Sequence, residues 1–170
     1  MSMLHIYSGN GKGKTTAGMG LLLRQLGCGH KIIIAQFLKD GKSSELQILR
    51  ELPGVKISAT EMPEIFYFQM NKEQQLQTQK AIDDLFSWVK EHMESCDCVL
   101  LDEIFDALNL GLLKEEDICD FLSQWKEKEI IMTGRNPSKR LLDLCDYHTE
   151  MVEKKHPYQK GVPARLGVEF

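Results

Sequence analysis

Long hydrophobic runs are missing from this chain. Its most apolar stretches, Ile32-Ile33-Ile34-Ala35 and Val99-Leu100-Leu101, fall far short of the roughly 20 residues that cross a bilayer, so no membrane span is expected. The N-terminus, Met1-Ser2-Met3-Leu4-His5-Ile6, has no basic region followed by an apolar stretch and a small-residue cleavage site; a cytoplasmic location is expected. Cysteine is sparse and unpatterned: Cys28, Cys96, Cys98, Cys119 and Cys145 are five, an odd number with no CxxC pair, and a reducing compartment keeps them as thiols. Cys96 and Cys98 share one strand face and so could form a metal pair, but small buried hydrophobes is the simpler reading. An excess of basic residues is also lacking. Lys and Arg number 21 against 25 Asp and Glu, a net charge of -4, without the footprint of a dedicated nucleic-acid binder. His5, His30 and His92 form no metal-ligand spacing, and no repeat, linker or low-complexity segment is visible.

What is present is average globular composition. At 42% hydrophobic and 27% charged over 170 residues, the chain fits one domain spanning 1–170. Leu4 to Tyr7 reads as a strand, Gly9 to Gly13 as a loop, and Thr15 to Leu26 as a helix stopped by Gly27-Cys28-Gly29. Lys31 to Phe37 is a continuous β-branched run suited to a strand covered on both faces. Ser43 or Ser44 opens a helix through Leu52, Pro53-Gly54 turns the chain, and Val55 to Ser58 is a third strand. After an aperiodic stretch from Thr60 to Met70, Asn71 and Gln74 predict a capping box for a helix to about Met93. Cys98 to Leu101 is the most apolar strand, and a helix with the acidic first turn Glu115-Glu116-Asp117 runs through Lys126. Ile130 to Thr133 is strand five. Asn136-Pro137 predicts an N-cap with proline at the first helical position, the helix ends near Cys145, and His148 to Val152 forms the last strand. Alternating strands and helices predict an α/β fold: a mostly parallel sheet, helices on both faces, and a ligand site outside the carboxyl ends of the strands.

Ser8-Gly9-Asn10-Gly11-Lys12-Gly13-Lys14-Thr15-Thr16 lies between a strand and a helix, as a phosphate-binding loop requires. Glycines let backbone amides turn onto an oxyanion, the helix N-terminus adds partial positive charge, Lys14 reaches the β and γ phosphates, and Thr15 ligates Mg²⁺. The usual pattern has glycine where this chain has Ser8. Asp102-Glu103 ends a second apolar strand and is expected to complete the Mg²⁺ shell, with strand alternation pointing one of the two inward. Thr133-Gly134-Arg135 ends the next strand at the same edge, where Arg135 is a candidate to meet a phosphate or a nucleotide hydroxyl, a plain surface arginine being the alternative.

Together these motifs resemble the ATP:corrinoid adenosyltransferase family, of three-layer P-loop NTPase fold with a RecA-like sheet. The matching stretches are Gly9 to Thr16, Gln36-Phe37-Leu38-Lys39, Leu101-Asp102-Glu103, Thr133-Gly134-Arg135, Lys155-His156, Gly161-Val162 and Gly167-Val168-Glu169-Phe170, in the family's order. The family's loop also carries a small hydroxyl residue where Ser8 stands. The resemblance implies transfer of the 5′-deoxyadenosyl group of ATP to the cobalt of a reduced corrinoid, with triphosphate released. It implies that ATP lies reversed relative to most P-loop enzymes, with Lys14 and neighbouring amides holding the triphosphate. Thr15 and Glu103, with Asp102, are implied for Mg²⁺, and Asn10, Lys12 and Arg135 for further nucleotide contacts. It also implies a homodimer and a flavoprotein or other reductase as electron source; from the charge balance and the short apolar runs, no nucleic-acid or membrane partner is expected.

Relatives set aromatics against the lower corrin face. Their Gly-Phe-Thr-Trp stretch is replaced here by Glu64-Ile65-Phe66-Tyr67-Phe68, which makes Phe66 and Phe68 the candidate wedge. The chain starts almost at its first strand, so the N-terminal extension that helps close the site in longer relatives is expected to be missing. Two rival functions use the same loop: a small-metabolite kinase releasing ADP, and a non-catalytic ATP-binding regulatory module.

Overall fold

A computed structural model describes residues 2–61, 65 and 67–168. Six strands form one sheet: β1 (Leu4–Ser8), β2 (Ile32–Gln36), β3 (Val55–Ala59), β4 (Cys98–Asp102), β5 (Glu129–Gly134) and β6 (Tyr147–Glu150). Their spatial order is β3-β2-β4-β5-β1-β6, and every neighbouring pair is parallel. Helices α1 (Lys14–Gly27), α2 (Ser44–Leu49), α3 (Lys72–His92), α4 (Ile104–Asn109), α5 (Glu115–Gln124) and α6 (Lys139–Leu144) make the crossovers. No described helix is long and apolar enough to cross a membrane.

Strand alternation produces the three layers. On β2 and β4 every residue is buried, because both faces are covered. Ile32, Ile34, Cys98, Leu100 and Ile131 point to one side, where Met19 and Leu22 of α1 and Leu46 and Leu49 of α2 complete the cluster. Ile33, Ala35, Val99, Leu101 and Met132 point to the other, against Ile82, Leu85, Phe86 and Val89 of α3 and Ile118 and Phe121 of α5. Gly18 lets α1 approach closely: a Cβ there would sit 2.9 Å from Leu100 Cδ1.

The capping box forms as the sequence indicates, with Asn71 accepting from the Gln74 amide while the Gln74 side chain accepts from the Asn71 amide. Other boundaries shift. Helix α6 is capped by Ser138, whose Oγ accepts from the Leu141 amide at 3.2 Å, and not by Asn136. Asn136 instead has left-handed backbone, φ +49°, as the chain turns off β5. Helix α2 ends at Leu49 rather than Leu52, and the last strand is Tyr147–Glu150 rather than His148 to Val152. Helix α4, unforeseen in the sequence, follows β4 directly.

The carboxyl ends of β1, β2, β4 and β5 meet at one edge. Gln36 and Asp102 are register partners, as are Ser8 and Gly134, and β5 lies between the strand that enters the phosphate loop and the acidic strand.

Candidate active site

The phosphate loop turns through two left-handed glycines, Gly9 at φ +109° and Gly13 at φ +110°, into the first turn of α1. Gly9 and Gly11 meet a demand that the motif alone does not reveal, since the backbone after β6 runs against them. The Gly11 amide donates to Met151 O at 2.7 Å, and the Met151 amide donates to Ser8 O at 2.7 Å. A Cβ on Gly9 would lie 2.3 Å from Met151 O, and one on Gly11 2.7 Å from it. Gly9→Ala is therefore expected to destabilise the protein by about 3 kcal/mol, combining left-handed strain with overlap against backbone. Urea unfolding checks this, and a wild-type midpoint would refute the close approach.

The other loop residues divide by role. Ser8 is buried, and its hydroxyl is 2.8 Å from His148 Nε2 on β6, facing the strand rather than the loop interior. Asn10 Oδ1 accepts from the Glu153 amide at 3.0 Å, and the Lys12 ammonium donates to Val168 O, so both hold the C-terminal segment over the loop. Thr16 is exposed on the first turn of α1. Lys14 Nζ folds back to donate to Gly11 O at 3.0 Å. Burial lowers the Lys14 pKa first, and the nearby Arg135 guanidinium lowers it further. Lys14 opens α1 and Arg135 follows β5, both at the carboxyl edge of the sheet. Arg135 is exposed and fixed through its backbone, whose amide donates to Asp106 Oδ2 at 3.1 Å and whose carbonyl accepts from Asn109 Nδ2 at 2.8 Å.

Both carboxylates of the acidic pair reach one ammonium, that of Lys39, where strand alternation alone turns only one of them inward. Asp102 is 0% exposed and accepts four hydrogen bonds. Its Oδ1 takes Thr15 Oγ1 at 2.9 Å and Thr133 Oγ1 at 2.6 Å, and its Oδ2 takes Lys39 Nζ at 2.6 Å and Gln36 Nε2 at 3.1 Å. Glu103 leaves the strand through left-handed backbone, φ +60°, with its amide donating to Thr133 Oγ1 at 2.9 Å. Its carboxylate lies 3.3 Å from Lys39 Nζ. Burial pushes the Glu103 pKa up, with Lys39 opposing. For Lys39 itself burial would lower the pKa, but Asp102 and Glu103 together outweigh it and hold the ammonium above its ordinary value.

Sequence reasoning gave no role to Gln36, Lys39 or Thr133. Lys39 Nζ also donates to Thr15 Oγ1 at 3.0 Å, so one ammonium touches all three groups expected around a metal. The sequence signals were their place in the family-matching stretches Gln36-Phe37-Leu38-Lys39 and Thr133-Gly134-Arg135, and their position at or just beyond the carboxyl end of a strand.

The wedge candidates are less defined. Phe68 sits in a short 3-10 turn, Tyr67–Gln69, and is 75% exposed. Phe66 lies outside the described residues, as do Glu64, Glu169 and Phe170. His156 caps another 3-10 turn, its Nδ1 accepting from the Tyr158 amide at 3.2 Å. Cys96 and Cys98 are buried; burial raises the Cys96 pKa to about 11 and raises that of Cys98 as well, so neither offers a thiolate. The described residues contain no group of three or more His, Cys, Asp or Glu placed to hold a metal.

The family profile described as ATP:corrinoid adenosyltransferase BtuR/CobO/CobP matches residues 1–170. The chain belongs to the ATP:corrinoid adenosyltransferase family. Among curated relatives, the corrinoid adenosyltransferase of Pseudomonas aeruginosa is 31% identical over 99% of this chain and 83% of its own length. That of Escherichia coli K12 is 29% identical over 97% of this chain and 84% of its own, and that of a Sinorhizobium species 29% over 99% and 80%. In this adenosyltransferase family member the phosphate loop, the buried Asp102 and the Lys14–Arg135 pair share one sheet edge, beneath the C-terminal segment.

Proposed function

We propose that this protein transfers the 5′-deoxyadenosyl group of ATP to the cobalt of a reduced corrinoid. Family membership supports that activity. The observation that carries the site assignment is Thr15, at the start of α1, donating its hydroxyl to the buried Asp102 at the end of β4. In the reaction the cobalt lone pair attacks C5′, a Co–C bond forms, and the C5′–O bond breaks with its electron pair leaving on triphosphate. No protein nucleophile is required. The chain's task is to hold C5′ in line and to stabilise the charge that develops on the leaving oxygen. Lys14 and Arg135 are assigned to that charge. Gly13 and the first amides of α1 hold the phosphate chain, while Asn10 and Lys12 act by keeping the C-terminal segment over the loop.

The donor chemistry fits Mg²⁺. Thr15 Oγ1, Asp102 and Glu103 are hard oxygen ligands, and Mg²⁺ typically takes one or two carboxylates together with substrate phosphates and waters. Gln36 Oε1, buried at the same edge, has no hydrogen-bond partner among the described residues and could accept from a metal-bound water. A metal held there would neutralise charge on the departing triphosphate. A homodimer and a flavoprotein or other reductase as electron donor complete this reading and rest on the family alone.

Anaerobic incubation with MgATP and chemically reduced cobalamin tests the proposal. A photolabile adenosylated corrinoid with stoichiometric triphosphate is expected; ADP without a change in the corrin spectrum would overturn it in favour of a kinase or ATPase. For the wedge, Phe68→Ala is expected to slow reaction with a Co(II) substrate at least tenfold while changing that with pre-reduced Co(I) less than threefold. Equal loss in the two assays would remove Phe68 from cobalt reduction.

A further inference from the structure

Lys39 is held by a rigid, strained stretch of backbone. Leu38, just before it, has φ +56°, a left-handed conformation that a bulky side chain adopts only when its surroundings demand it. The Phe37 amide donates to Asp102 O at 2.9 Å, and Thr60 Oγ1 donates to Lys39 O at 3.3 Å, tying this segment to the ends of β4 and β3. The side chain is 22% exposed, against 0% for Asp102, so its route out to solvent is open while its backbone is fixed. Its ammonium lies within 3.3 Å of Thr15 Oγ1, Asp102 Oδ2 and Glu103 Oε1, the three groups assigned above to a divalent metal. A divalent ion on those oxygens would sit at contact distance from the ammonium, and the two like charges repel.

We infer that Lys39 is a built-in counter-ion that keeps the metal site closed in the nucleotide-free protein and must be displaced before a divalent ion can bind there. Without such a cation, the buried Asp102 carboxylate and its neighbour Glu103 would repel one another and would bind free Mg²⁺ from solution. With it, a divalent ion alone competes poorly, and a divalent ion delivered together with a triphosphate competes well, because the phosphates add ligands. The freed ammonium, on its fixed backbone, remains next to the phosphate loop as a further cation for the bound anion. Metal and nucleotide then load as one unit. Gln36 fits this picture: its amide nitrogen stays on Asp102, and its unpartnered oxygen accepts a hydrogen bond once the metal shell replaces the ammonium.

The inference rests on the metal assignment above, and its test does not depend on catalysis. Binding of Mn²⁺ alone, without nucleotide, is read from the loss of the free-ion electron paramagnetic resonance signal. Lys39→Met and Lys39→Gln are expected to bind Mn²⁺ at least tenfold more tightly than wild type, and Asp102→Asn added to either is expected to abolish the gain. Lys39→Arg keeps the positive charge and is expected to stay within threefold of wild type. Folded Lys39→Met and Lys39→Gln proteins with wild-type Mn²⁺ affinity would overturn the inference. Should neither fold, wild-type protein supplies the same test: acetylation of Lys39, followed by mass spectrometry, is expected to accelerate as the site saturates with Mn²⁺, and an unchanged rate at saturation overturns it. Failure of wild type to bind MnATP would instead count against the nucleotide-site reading, which is a separate measurement.

Discussion

A Lys14→Ala protein is expected to unfold within about 1 kcal/mol of wild type, since the one described hydrogen bond it loses, to Gly11 O, is of ordinary net strength. Its adenosyl transfer is expected to fall by about 10²–10³-fold, the usual loss when one preorganised charge is removed from a site of developing negative charge. Lys14 is well placed for such an effect. It heads α1 beside left-handed Gly13, and burial, ahead of any neighbouring charge, holds its pKa below the ordinary value. The loss should fall mainly on kcat, because the charge on the leaving triphosphate grows toward the transition state. Steady-state kinetics on a variant verified by circular dichroism gives the answer. Full activity would remove the loop from the chemistry.

Asp102→Ala is expected to cost about 3 kcal/mol of stability, or a drop in Tm on the order of 10 °C for a chain of this size. The side chain accepts from Thr15, Thr133, Lys39 and Gln36, all of which would lose their acceptor at once. The effect stays near the low end for a broken buried ion pair because Glu103 remains 3.3 Å from Lys39 and the ammonium has a partial route to water. Thermal unfolding measures this loss. Calorimetric titration with MgATP is expected to show affinity reduced at least tenfold; unchanged affinity would place the metal elsewhere.

Much of the architecture could be read from residue patterns. The runs Ile32 to Phe37 and Cys98 to Leu101 have no polar face because both their faces are covered, and that pattern alone implies helices on two sides. The glycine-rich turn after β1, the helix it opens and the Asn71–Gln74 capping box were equally visible, since each is a local device whose parts lie within a few residues. The site's finer assembly was not. Lys39 and Asp102 are 63 positions apart, and Gln36 and Asp102 are 66 apart, meeting only because β2 and β4 pair in register. Alternation required one carboxylate to point inward without saying which. The strands' registry assigns that place to Asp102, while left-handed backbone at Glu103 turns the second carboxylate back toward the same ammonium. The cap of α6 was misread for a local reason: Asn136-Pro137 carries the composition of a helix start, but Asn136 is used to turn the chain and Ser138 makes the hydrogen bond.

The strand order also bears on how the chain assembles during synthesis. β1 is the first strand made, yet its sheet neighbours are β5 and β6, the last two. On a ribosome, β1 must wait until β5 and β6 have emerged before it can insert between them, and contacts of such long sequence separation fold slowly. The Gly11–Met151 hydrogen bond and the Asn10–Glu153 contact, the latter spanning 143 positions, are among the last to close. Until β5 and β6 have been made, the glycine-rich turn after β1 therefore lacks the backbone that it packs against.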